Sequence, residues 1–205
     1  MNNLFGWINT SLNESASYSL IGDIASEYKK GDDYRRYSSE TVSCAAPETY
    51  FVESNGIIAL YSGKLYFEGE SGRGNNGRMG PALEIVRAYL KEGEEFVNRV
   101  RGTFSIVLID KAKEKVILVL DRIGKTSLYY SAPGNGFVFG SNLKDIITHP
   151  DVGKGISNQS IYDYIYFHHC PSPETIYKTC RKLEGAQMVV FEKKSIKTKG
   201  HCPEQ

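Results

Sequence analysis

Nowhere in this 205-residue chain does an apolar run approach the ~20 residues that a membrane-crossing helix needs. The N-terminus has no basic stretch followed by an apolar one, so no secretory leader is visible. The four cysteines, Cys44, Cys170, Cys180 and Cys202, form no Cys-x-x-Cys pair. They read as reduced thiols, and the chain as cytoplasmic. Excess charge of one sign is also missing. The 25 Lys and Arg nearly cancel the 24 Asp and Glu, leaving +1. This excludes a nucleic-acid binder held by bulk charge. There is no internal repeat and no low-complexity tract.

What remains is ordinary globular material, 40% hydrophobic and 24% charged. The length suits one large domain or two small ones. A globule of this size buries roughly 70% of its unfolded surface and needs no covalent staple. The 14 tyrosines and 9 phenylalanines lean towards β structure.

Periodicity places the elements. Leu4 to Ile8 reads as a buried strand and Tyr18 to Lys30 as a helix stopped by Gly31-Asp32-Asp33. Glu40 to Ala46 reads as a strand. Tyr50–Val52 and Ile57–Tyr61 flank Asn55-Gly56, the turn pair of a β-hairpin. Glu68 to Gly80 is glycine-rich and loop-like. Pro81 to Glu92 is an amphipathic helix opened by proline, followed by a short helix from Glu94 to Val100. Strands follow at 103–109, 115–120, 127–131 and 137–140. Then come a helix at 143–148, a helix at 158–167 capped by Asn158, and a strand at 186–192. From Lys193 the chain is charged and lacks a core pattern.

Three segments carry a family pattern. They are Arg101-Gly102-Thr103-Phe104-Ser105, then Asp121-Arg122-Ile123-Gly124-Lys125-Thr126-Ser127-Leu128-Tyr129-Tyr130, then Phe139-Gly140-Ser141-Asn142-Leu143-Lys144. In order and spacing they resemble the N-terminal glutaminase domain of the asparagine synthetase family, a class II glutamine amidotransferase. The resemblance covers nearly the whole chain. It implies an α+β fold, a four-layer αββα sandwich of two mostly antiparallel sheets. Residues 1–192 would form the domain, and 193–205 a tail or the start of a linker. These segments are strand and turn chemistry and fix a scaffold; function has to come from the site.

The family starts Met-Cys and uses the exposed Cys as nucleophile. This chain starts Met1-Asn2. A carboxamide nitrogen has its lone pair delocalised into the carbonyl, so Asn2 cannot attack. The resemblance sets Ser62 on the asparagine of the family's oxyanion pair and Gly63 on its glycine. Gly63 can give a backbone N–H, but the serine hydroxyl is shorter than an Asn amide. A competing register sets the pair at Asn55-Gly56, inside the hairpin turn. Gly80-Pro81 falls on the family's Ser-Asp, so the carboxylate that holds the glutamine ammonium is absent. Arg36 is the counterpart of the pocket arginine, unless Arg35-Arg36 is simply a solvated pair. The vestigial pocket would then be Arg36, Ser62 and Gly63, with no catalytic residue, cofactor or metal. His168-His169-Cys170 with Cys180, His201 and Cys202 does not have the spacing of a structural zinc site.

The resemblance implies a role in ATP-dependent amide formation with glutamine hydrolysis lost, as in the β-lactam synthetases and lasso-peptide cyclases that also lack the cysteine. The partner would be an ATP-binding synthetase domain or chain, whose Ser-Gly-Gly-x-Asp-Ser loop does not occur here. A homodimer is also admissible; nucleic acid and membrane are not. Two other readings stay open: a stand-alone binding or regulatory protein, and a hydrolase using Ser62. Finally, Tyr162, Tyr164, Tyr166 and Phe167 cannot share one buried helical face. Either some are exposed as an interface, or all line the core.

Overall fold

The computed structural model describes residues 3–28, 34–68 and 80–201. Asn2, the Gly31-Asp32-Asp33 turn, most of the glycine-rich 68–80 stretch and Cys202 lie outside the described residues.

Two six-stranded sheets stack face to face, and every strand pairing within them is antiparallel. The first sheet contains β1 (Phe5–Ile8), β2 (Tyr34–Ser38), β3 (Val42–Pro47), β8 (Tyr129–Ser131), β9 (Phe137–Gly140) and β10 (Cys180–Lys182). Its order is β10-β8-β9-β1-β3-β2, with β1 between β9 and β3. The second contains β4 (Phe51–Ser54), β5 (Ile57–Phe67), β6 (Val100–Asp110), β7 (Lys115–Leu120), β11 (Gln187–Glu192) and β12 (Ser195–Gly200). Its order is β12-β11-β7-β6-β5-β4.

The core lies in three slabs. Between the sheets sit Leu4, Ile8, Leu60, Val107, Leu118, Phe137 and their neighbours. Outside the second sheet, α2 (Pro81–Glu92) lays Ala82, Ile85, Val86 and Tyr89 on Ala59, Ile106 and Leu108. Outside the first, α1 (Glu14–Ser26) and α3 (Leu143–Thr148) cover Phe5, Trp7 and Ala45. The layers are helix, sheet, sheet, helix, the expected sandwich. β6 and β7 are covered on both faces, so their sequences are near-continuous apolar runs rather than alternating ones. Each large side chain so buried contributes roughly 1.5–3 kcal/mol.

Local chemistry sets the element ends. Asn55 and Gly56 take φ of 53° and 75°, the left-handed pair that a two-residue hairpin turn demands. Pro81 opens α2 and Gly93, at φ 62°, ends it. α1 starts earlier than its apolar spacing predicts, because the Asn13 side chain accepts from the Ala16 N–H at 2.9 Å and caps it. In α4 (Asn158–Phe167) the cap is Ser157, not Asn158: its hydroxyl accepts from the Ser160 N–H at 3.2 Å. Residues 195–200 form an edge strand although the sequence gives them no core pattern. They pair with β11 through the backbone alone, and all six are exposed.

Candidate functional site

The register between β5 and β6 builds one end of the second sheet. Ser62 lies opposite Ser105, and its neighbours in phase, Ile58 and Leu60, point between the sheets. Ser62 shares their face by the two-residue period of a strand. Ser105 is buried, and its hydroxyl has no hydrogen-bond partner. β4 pairs with β5 only as far as Leu60, so Ser62 and Gly63 lie on a length of β5 with no strand on its outer side among the described residues.

Gly63 is followed by a kink. Its φ is +95°, and a Cβ there would overlap the Thr103 carbonyl oxygen. Across the strand pair Gly102 has φ +122°, and a Cβ there would overlap the Lys64 carbonyl oxygen. The two glycines flank the Lys64–Thr103 pair and let the two backbones approach as side-chain-bearing residues could not.

The structure brings Ser62 and Gly63 together and sends Arg36 elsewhere. Arg36 pairs with Ala45, whose side chain belongs to the slab under α1. Its guanidinium stacks over the Tyr18 ring at 5.1 Å and crowds Gly22 of α1. Successive strand residues face opposite ways, so Arg35 is the one on the inter-sheet side. It lies over Phe51 at 5.1 Å and bonds Glu48 at 3.2 Å. Reading Tyr34–Ser38 as a strand would have separated the two arginines. Pro81 is the first residue of α2, on the opposite face of the second sheet from Ser62, and Gly80 offers no side chain as cap.

Ser62 has no hydrogen-bonded base among the described residues. The inter-sheet thiol Cys44 is pushed up by burial, which disfavours its thiolate. Among the described residues no three His, Cys, Asp or Glu side chains converge as metal ligands, and no helix is long and apolar enough to cross a membrane.

A second region stands out at α4. Tyr162, Tyr164, Tyr166 and Phe167 are 64%, 57%, 70% and 51% exposed, and Ile165 is exposed beside them. Of the helix only Ser160 is buried. The face adjoins a cleft of about 510 Å³ lined by Tyr129, Leu143, Tyr164, His168, Cys170 and Ile176.

Two stacked antiparallel sheets between helices, with the N-terminal strand inside one of them, define the architecture of the N-terminal-nucleophile amidotransferases. Solved structures agree. The allosteric regulatory enzyme of purine biosynthesis superposes with a TM-score of 0.58 at 10% identity, over 98% of this chain and 49% of that one. Glutamine phosphoribosylpyrophosphate amidotransferase from Bacillus subtilis gives 0.56 at 10% identity, over 98% and 50%. Within that architecture the chain belongs to the glutamine amidotransferase domain family, which matches residues 82–202. It is homologous to the glutamine-hydrolysing domain of asparagine synthetases. A putative glutamine-hydrolysing asparagine synthetase of Methanocaldococcus jannaschii is 30% identical over 66% of this chain. Asparagine synthetase 3 of Bacillus subtilis is 24% identical over 67%. The chain spans about a quarter of the length of these relatives, 27% and 24%.

Proposed function

We propose that this chain is a glutaminase-type domain that has lost glutamine hydrolysis and serves as the structural partner of an ATP-dependent amide-forming unit of the asparagine synthetase kind. The carrying observation is chemical. In a chain of this family, the position that the resemblance assigns to the nucleophile holds Asn2, which cannot attack a carboxamide. Two further assignments that the resemblance makes accompany it: Ser62 at the oxyanion residue and Pro81 at the ammonium-binding carboxylate. Use of Ser62 as nucleophile finds no support, since no base is bonded to it among the described residues.

The exposed aromatics of α4 support the partnership. Exposed aromatics at this density favour an interface, and the match to this chain spans only 27% and 24% of the curated relatives' length. The occupant we assign is the synthetase unit. We also place the protein in the cytoplasm, on its free Cys44, Cys170 and Cys180 thiols. The test is co-purification with a synthetase-type chain or domain from the same source. Phe167→Asp should abolish the complex while leaving the unfolding midpoint of the single chain within about 0.5 kcal/mol. An intact complex with Phe167→Asp, or no complex with the unsubstituted chain, would count against the reading.

A further inference from the structure

At the end of the second sheet, past the Gly63–Gly102 kink, lies a cavity of about 310 Å³. It is on the side of Phe104, away from the inter-sheet face that carries Ser62. We infer that this cavity, bounded by Arg101, Arg122 and His201, binds a small carboxylate that also carries a hydrogen-bond donor, such as an amino or hydroxy acid. Its size lies at the lower end of small-molecule sites, roughly 300–1,000 Å³.

The polar groups define the ligand. Arg122 is exposed at the rim and has no ion partner among the described residues. An unpaired guanidinium is the group that takes a carboxylate in a bidentate fork. Arg101 is different. It donates to the Asn98 and Val100 carbonyl oxygens at 2.6 and 3.1 Å and pairs with Glu68, so its charge is already matched. Arg101 therefore serves as wall and Arg122 as the anion receptor.

His201 supplies the opposite polarity. It is buried, and its Nε2 lies 2.6 Å from the Leu120 carbonyl oxygen. A carbonyl only accepts, so Nε2 is the donor of that bond, and in the neutral ring Nδ1 then holds the lone pair. No partner for Nδ1 exists among the described residues. An ammonium or hydroxyl is what that lone pair takes. Tyr66 and Phe104 give the cavity aromatic walls, and Gly102 leaves backbone bare along it. The ligand therefore needs an anionic end for Arg122 and a donor for His201, within a body of few atoms.

The site is independent of the Ser62 pocket and can be tested apart from it. The full chain is titrated with glutamate, malate, acetate and inorganic phosphate, by calorimetry and by the long-range proton–nitrogen spectrum of the His201 ring. The expected result is that glutamate or malate binds more tightly than acetate or phosphate and moves the Nδ1 resonance. Arg122→Ala, a change at an exposed side chain, should weaken that binding about tenfold or more without moving the unfolding midpoint. The inference is overturned if none of the four binds at millimolar concentration, if phosphate or acetate binds as well as malate, or if Arg122→Ala leaves affinity unchanged.

Discussion

The imidazole of His149 stands edge-on to the indole of Trp7, ring centroids 4.9 Å apart at 68°. The pair is buried outside the first sheet, and Trp7 is the chain's single tryptophan. His149 Nδ1 accepts from the Asp151 N–H at 3.2 Å, and Nε2 is buried without a hydrogen-bond partner. Burial lowers the His149 pKa below 6.5, with Asp151 opposing. A histidine shifted this way favours the folded state above 6.5, and that contribution is lost as pH falls towards the folded value. An imidazolium beside an indole quenches it. Trp7 fluorescence of the folded chain should therefore fall on acidification at a midpoint below 6.5, and His149→Phe should abolish the titration. A flat profile in the unsubstituted chain would contradict the placement.

Asp145 sits one helical turn before His149 and responds in the opposite sense. Burial raises its carboxyl from 3.8 to about 6, partly opposed by the 2.6 Å bond that it accepts from Tyr28. The cost of the buried charge is full above the folded value and fades as pH falls from about 6 towards 4. Asp145→Asn keeps an acceptor for Tyr28 and removes the charge. It should stabilise the chain by roughly 1–3 kcal/mol at neutral pH, with the gain shrinking in acid. Urea midpoints at two pH values measure this.

The glycine pair gives a stability contrast. Gly63→Ala forces a Cβ into the Thr103 carbonyl oxygen at a φ of +95°. It should cost more than about 3 kcal/mol. Gly56→Ala has φ +75° but open space around it, so about 1 kcal/mol is expected. Equal midpoints for the two variants would mean that the kink is not as tight as described.

Much of this fold was legible because its signals are local. Asn55-Gly56, Pro81 and the apolar runs of β6 and β7 each dictate conformation within a few residues. The strands at 34–38 and 195–200 were not, since an exposed edge strand carries no apolar alternation and is defined by its neighbour's backbone. Because β2 was not read, the alternation that sets Arg36 under α1 and Arg35 on the other face could not be read either. The resemblance assigns motif positions to Asn2, Ser62 and Pro81 by letter alone. The unpartnered hydroxyl of Ser105 and the Arg122–His201 cavity could not be read from the sequence, because they depend on strand register and on which hydrogen bonds are already made.

Restoring one residue should not restore chemistry. Asn2→Cys, with Met1 removed, supplies a thiol and a free α-amine. Groups that act as a unit do not contribute additively, and Ser62 and Pro81 remain. Glutamate production should stay at background. Robust turnover from this single change would show that Ser62 and Pro81 do not stand where the resemblance sets them.

Glutamine hydrolysis by the unsubstituted chain is the most direct measurement of all. Incubated with glutamine, it should form glutamate no faster than buffer does, because Asn2 offers no nucleophile and Ser62 has no bonded base among the described residues. Turnover above background that disappears in Ser62→Ala would contradict the account and make Ser62 a catalytic residue.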